Sequence, residues 1–80
     1  MSIWKLQLAA DVLRGGLALE LVAGKRVVAE VFRCDASHSV HVSTLGNDIP
    51  LEVLEWFLAQ ARAGLGPFDD GTPLPREAEI

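Results

Sequence analysis

The longest segment with a helical period runs from Ile49 to Leu65, and it limits the folds that this chain can adopt. Apolar residues recur along it at alternating spacings of three and four, and Val53 and Phe57 widen this stripe into a broad face. A face of that width is typical of a helix that lies on a sheet. The stripe consists of Leu51, Leu54, Leu58, Ala61 and Leu65.

The ends of this helix are marked by proline and glycine. Pro50 suits a first helical turn, where its missing N–H leaves no hydrogen bond unmade, so the helix is predicted to begin within about two residues of it. Gly64 or Gly66 can supply the left-handed residue that closes a helix, and Pro67 prevents its continuation.

The beginning of the chain fits two structures. Trp4, Leu6 and Leu8 alternate with polar residues, which predicts a strand from Ile3 to Ala9. The range 3–14 also fits a helix that Gly15 would close, since it contains good helix formers. The second interpretation gives an α-β-β-β-α order.

Two further segments alternate on either side of a glycine and predict a hairpin, residues 17–22 and 27–34. Leu19 and Leu21 share a face with Ala29 and Val31 only if the connection adds an odd number of residues. We therefore expect a loop of three or five residues, or a bulged turn, with Gly24 in the left-handed conformation.

A four-residue turn, Asp35 to His38, leads into a last strand from Ser39 to Leu45. This loop length pairs Val31 with Val42. The predicted fold is therefore α+β, a four-stranded antiparallel meander with one C-terminal helix packed on one face (β-β-β-β-α). Residues 1–68 form the domain in this prediction, and residues 69–80 form a flexible tail that is acidic and contains proline.

Length and composition predict one small globular domain. The 80 residues are 50% hydrophobic and 22% charged, which is typical of a folded chain. The net charge of −4, with scattered basic residues, argues against nucleic-acid binding. Short apolar runs and a single cysteine, Cys34, favour a cytoplasmic protein that does not bind membranes.

The residue types of chemical sites are present without their usual spacing. Asp35, Ser37 and His38 share one turn and cannot converge as a hydrolytic triad does. His38 and His41 are three residues apart, which on a strand sends them to opposite faces and leaves a zinc site short of ligands. We therefore expect no enzyme activity, no catalytic residues, no metal, no cofactor and no small-molecule substrate.

One face of the predicted sheet has no helix to cover it, although it carries apolar residues. Together with an aromatic residue on the flank of the helix, these side chains form the candidate interface. The sequence thus favours a non-catalytic protein–protein interaction module that binds a protein partner or itself as a homodimer. The alternative is a small acidic inhibitor or immunity-type protein that occludes a basic site on a larger partner. The candidate interface residues are Val22, Val28, Phe32, His41 and Trp56, and Trp56 would also fit as part of the core.

Overall fold

The computed structural model describes residues 3–76 and contains four strands followed by one helix. The strands form one antiparallel sheet in the order β1-β2-β3-β4, so each strand pairs with its neighbours in the chain. The predicted β-β-β-β-α fold is confirmed, and the order with an N-terminal helix is wrong. The elements are β1 (Trp4–Asp11), β2 (Gly16–Ala23), β3 (Arg26–Cys34), β4 (Ser39–Ser43) and α1 (Leu51–Gly64).

Strand pairing decides the structure of the ambiguous first segment. Leu6 lies opposite Leu21 and Leu8 opposite Leu19, so β1 continues the apolar face of β2. Gly15, at φ 73°, closes the turn between the two strands instead of closing a helix. Cross-strand packing therefore outweighs the helix propensity of these residues.

A bulge sets the register between β2 and β3. The turn itself has two residues, Gly24 and Lys25, and Gly24 is left-handed at φ 64°. The register shifts between Leu21 and Val22, so that Leu21 pairs with Ala29 while Val22 pairs with Val27. The predicted loop of three or five residues is therefore wrong. The bulge adds one residue, Val28, to β3, and this extra residue has the same effect on the facing of the strands as an odd loop would have. Leu19 and Leu21 share a face with Ala29 and Val31, as predicted.

The bulge also corrects the placement of one candidate interface residue. Val28 was expected on the uncovered face, but it is buried in the same cluster as Ala29 and Phe57. The reason is that alternation of faces is interrupted where two residues of one strand oppose one of its neighbour. Beyond the bulge, Val31 pairs with Val42 and Arg33 with Val40, as the four-residue turn predicted.

The helix packs its C-terminal half most deeply. Pro50 precedes the first turn, and Gly66, at φ 64°, follows the last. Leu51 was predicted in the buried stripe, but its side chain is 69% exposed. A stripe with a mean spacing of 3.5 residues drifts by about 20° per heptad around a helix, so its first member leaves the core. The core cluster consists of Leu19, Leu21, Val28, Ala29, Val31, Phe57, Ala61 and Leu65.

The segment after the helix lies against the domain. Phe68 is buried, and Leu74 packs on the core cluster. Arg62 Nη1 donates to Pro75 O at 2.8 Å, and the backbone N–H of Asp69 donates to Asp35 Oδ1 at 3.0 Å. Residues 77–80 lie outside the described part of the chain. The flexibility of the segment from residue 69 stays a prediction. Movement of this segment away from the domain would break the hydrogen bonds of Pro75 and Asp69.

Candidate interaction surface

The sheet face without a helix is covered in part by an arginine. Phe32 lies on this face and is only 7% exposed. The guanidinium carbon of Arg14 lies 4.1 Å from the centre of its ring, and Arg14 comes from the turn between β1 and β2. Gly16 makes the close fit possible, since a Cβ there would lie 2.8 Å from Phe32 Cζ. A cation over a ring face is attractive, and the stem of arginine covers apolar surface.

Two carboxylates hold Arg14 in this position. Its Nε lies 2.5 Å from Asp11 Oδ2, and its Nη1 lies 2.7 Å from Glu30 Oε1. The backbone N–H of Arg14 and then its guanidinium lower the pKa of Asp11, because both donate to the charged carboxylate. Hydrogen bonds to Glu30 and Asp11 raise the pKa of Arg14. The turn between β1 and β2 is thereby fixed over the sheet.

The structure does not bring the five predicted interface residues together. Val28 belongs to the core on the helix side, and Phe32 lies beneath Arg14. Val22 is half-buried, and His41 is exposed near the β4 edge. Trp56 is 40% exposed on the helix. A role for these residues in binding stays a prediction, but they do not form a continuous patch.

A row of hydrogen bonds crosses the uncovered face at its β4 edge. His41 Nε2 lies 3.0 Å from Ser39 Oγ, which lies 2.5 Å from Ser37 Oγ. The Ser37 side chain in turn lowers the pKa of the Cys34 thiol by hydrogen bonding, helped by the backbone N–H groups of Ser37 and Ala36. Neither histidine nor cysteine was predicted to take part in such a row.

A clamp joins the sheet to the end of the helix on the other face. The Nη1 group of Arg33 donates to the backbone carbonyls of Leu65 and, at 2.9 Å, Pro67. Its Nε lies 3.0 Å from Asp35 Oδ1, an ion pair whose N–H is not aligned for a hydrogen bond. The positive charge at the C-terminal carbonyls of α1 also complements the helix dipole.

A groove of about 280 Å³ separates α1 from β4. Its walls include Val40, Val42 and Leu58, and Leu74 and Pro75 occupy one side. Arg62 and Arg76 lie among its lining residues. The segment after the helix therefore covers part of this side of the sheet.

The opposite edge of the sheet, at β1, is also open. Four of its large apolar side chains are exposed, and two of them form the tip of the β1–β2 turn. We call these four residues and the outer edge of β1 the β1 edge surface. The turn carried a signal in the sequence, because Val-Leu is an unusual pair for a tip that normally takes polar residues or glycine. The four are Ile3 at 61% exposure, Leu8 at 56%, Val12 at 90% and Leu13 at 100%.

The backbone of β1 is part of the same surface. The N–H of Gly24 donates to Ile3 O, and the N–H of Gly15 donates to Asp11 O, so odd-numbered residues bond toward β2. Because hydrogen bonding alternates along an antiparallel strand, the N–H and C=O groups of Leu6, Leu8 and Ala10 point away from the sheet. These groups are available to an additional strand.

Trp56 lies on the helix flank that is turned away from the groove. Leu58 lines the groove, and residues two apart on a helix project about 200° from each other. The side chain of Trp56 therefore points away from the groove, and it is 40% exposed.

Among residues 3–76, no group of three or more His, Cys, Asp or Glu side chains is placed to hold a metal ion. In the same range, no helix has the length and apolar character to cross a bilayer. No protein-family model, curated protein or solved structure matches the chain.

Proposed function

We propose that the protein is a non-catalytic protein–protein interaction module that binds through the β1 edge surface. The observation that supports this proposal is the concentration of exposed apolar side chains along one edge strand and its turn. Ile3, Leu8, Val12 and Leu13 lie within one short stretch of the chain, beside unpaired backbone groups. Apolar anchors next to an open strand edge are suited to a partner that adds a strand.

The rigidity of the turn supports a binding role for its tip. Asp11 Oδ1 accepts a hydrogen bond from the backbone N–H of Arg14 at 2.9 Å, and the Arg14 side chain is held by Glu30. Val12 and Leu13 therefore project from an ordered turn. An ordered apolar tip loses little conformational entropy when it binds, and this makes association more favourable.

The charges favour this module over the acidic inhibitor. Several carboxylates that would attract a basic partner are already paired within the chain: Asp11 and Glu30 with Arg14, Asp35 with Arg33, and Asp70 with His38. An apolar complex keeps its affinity as salt is raised, whereas one led by charge weakens steeply.

Site-specific photo-crosslinking in the cells that produce the protein tests the proposal. A photoreactive residue in place of Leu13 should give covalent protein adducts, and the same residue in place of the exposed Glu55 should not. We expect the adducts at position 13 to persist when the extract is brought to high salt before irradiation. Equal labelling at both positions, or none at position 13, would contradict binding through the β1 edge surface.

A further inference from the structure

We infer that the partner at the β1 edge surface is a second copy of this chain, added antiparallel across a two-fold axis that passes through Leu8. This inference rests on the proposed function and names the partner of the same surface. It follows from three properties of β1, namely the side chains on each face, the direction of its backbone groups and its two charges.

The alternation of faces limits the registers in which two copies can pair. Residues directly opposite each other in an antiparallel pair lie on the same face of the sheet. Two β1 strands related by a two-fold axis therefore keep their apolar faces on one side only if the axis passes through a residue. The central candidates are Gln7, Leu8 and Ala9.

The register centred on Leu8 matches the charges of the strand. It places Lys5 opposite Asp11 of the second copy, and the symmetry repeats this pair at the other end. Both residues lie on the face away from the helix, because they pair with Val22 and Gly16 of β2. The carboxylate of Asp11 contacts Arg14 of its own chain and has lone pairs for a second donor. Opposite charges directly across an antiparallel pair attract each other.

The two neighbouring registers lose this match. An axis through Gln7 places Lys5 opposite Ala9 and brings Asp11 opposite Ile3. An axis through Ala9 leaves Lys5 beyond the end of the partner strand, beside its turn, and places Asp11 opposite Gln7. Neither register sets an opposite charge across from Lys5, so both lose the attraction between Lys5 and Asp11.

The register centred on Leu8 also pairs the exposed apolar residues. Leu8 meets Leu8 of the second copy on the axis, on the helix side of the sheet. The same register brings Ile3 and Trp4 to the end of the interface where the β1–β2 turn of the second copy presents Val12 and Leu13. The exposed apolar side chains of the two β1 edge surfaces are therefore close to one another.

The directions of the backbone N–H and C=O groups of β1 are compatible with this arrangement. The outward groups of β1 belong to Leu6, Leu8 and Ala10, and the register pairs Leu8 with itself and Leu6 with Ala10. These are pairs that exchange both N–H and C=O hydrogen bonds. The product is one continuous sheet of twice the number of strands, with both helices on the same face.

Single-cysteine crosslinking distinguishes the three registers. In a Cys34→Ser background, each of Gln7→Cys, Leu8→Cys and Ala9→Cys reports the register centred on that residue. The Cα atoms of a hydrogen-bonded pair on the axis lie about 5.5 Å apart, within the range of a disulfide. A residue one position from the axis lies about 8 Å from its own copy, which is too far.

We expect the Leu8→Cys variant to form disulfide-linked dimers under a mild oxidant, and the other two variants to remain largely uncrosslinked. Dominant crosslinking at position 7 or 9 would overturn the register. Sedimentation of the parent chain over a range of concentrations should show a monomer–dimer equilibrium. A parent chain that stays monomeric overturns the second copy as the partner. Adducts of Leu13 with a different protein would then still support the proposed function.

Charge exchange tests the pair between Lys5 and Asp11. Lys5→Asp and Asp11→Lys each set like charges opposite each other in a homodimer, and each should raise the dimer dissociation constant about tenfold. Mixed together, the two variants place opposite charges at both ends, so heterodimers should form more tightly than either homodimer, even though Asp11→Lys also removes a carboxylate from Arg14. Lys25→Asp, in the turn at the other end of the hairpin, serves as the control. Circular dichroism confirms folding of each variant, and failure of the folded variants to form heterodimers would contradict the pairing.

Discussion

Phe57 and Phe32 are buried against opposite faces of the same sheet, in different surroundings. Phe57 belongs to α1 and packs onto the sheet among Leu21, Ala61 and other apolar side chains. Phe32 lies under the guanidinium of Arg14, beside a glycine. The first face is covered by packing of apolar groups, and the second is covered in part by a charged side chain that two carboxylates hold in place.

The difference shows how side chains of the sheet and its turns cover part of the face that the helix does not reach. An arginine covers a ring with its apolar stem while its charged end stays in contact with water and carboxylates. The stability contributed by the arginine-covered face should depend on salt and pH, whereas the stability contributed by the helix-covered face should not. Four measurements address this contrast.

Phe57→Ala should have the largest effect on stability. The side chain is fully buried, so its removal leaves a cavity and should cost about 3–5 kcal/mol in the free energy of unfolding. Total stabilities of small domains are often little larger. Urea denaturation measures the change. Trp56→Ala is the control in the same helix turn, and equal losses for the two variants would contradict the packing described here.

Gly16→Ala should come next, because it affects the arginine-covered face through its backbone. A Cβ at this position would lie 1.9 Å from Arg33 O and 2.8 Å from Phe32 Cζ, so the strands or the ring must move. Overpacking of this kind typically costs about 1–3 kcal/mol. Gly64→Ala, where a Cβ meets nothing within 4 Å, should be neutral or stabilising. If thermal melts rank the two variants in the opposite order, Phe32 is not held against Gly16.

Arg14→Gln should lower Tm by a few degrees and make Phe32 more accessible. The substitution keeps a polar side chain but removes the cation over the ring and the two ion pairs. Addition of salt should narrow the gap in Tm between parent and variant, because the ion pairs are partly exposed. Arg26→Gln is the matched control, since Arg26 makes one long hydrogen bond to Asn47. A Tm difference that is unchanged by salt would show that Arg14 acts by packing alone.

The smallest effect should be a loss of stability in acid. The pKa of Asp11 is lowered from 3.8 by the backbone and side chain of Arg14, and that of Asp70 from 3.8 by Thr72 and then His38. A carboxyl with a lower pKa in the folded state stabilises the protein above its unfolded pKa, and this stabilisation is lost as pH falls through the folded value. An NMR titration should place both groups below 3.8. In Arg14→Gln, the pKa of Asp11 should rise toward 3.8 while that of Asp70 stays constant.

Most of the fold could be predicted because the connections are short. Loop length fixes which residues face each other in a hairpin, so the pair Val31 with Val42 followed from the four-residue turn. Leu19 and Val31 share a face as predicted, but the odd loop expected between their strands is wrong, since the turn has two residues and a bulge adds the third. The helix was evident from its period and from Pro50. Local signals suffice in a meander, since each strand pairs with its neighbour in the chain.

The errors arose where tertiary contacts override the local pattern. The bulge at Val28 is not encoded by alternation, and the burial of Phe32 depends on a residue in a turn two strands away. The exposure of Leu51 follows from the drift of the stripe. For the candidate surface, His41 and Trp56 are exposed as expected, whereas the exposed pair Val12 and Leu13 was overlooked because its segment fitted both a strand and a helix.

The clamp formed by Arg33 has a consequence for the order of folding during synthesis. Its acceptors, Leu65 O and Pro67 O, follow it by 32 and 34 residues, and α1 follows all four strands. The ribosome therefore releases the complete sheet before the helix that shields its leucines. Hairpins form within microseconds, whereas residues are added at roughly 5–20 per second. The nascent sheet is thus without α1 for a time on the order of seconds. During that interval its apolar face is accessible to chaperones and to other nascent chains.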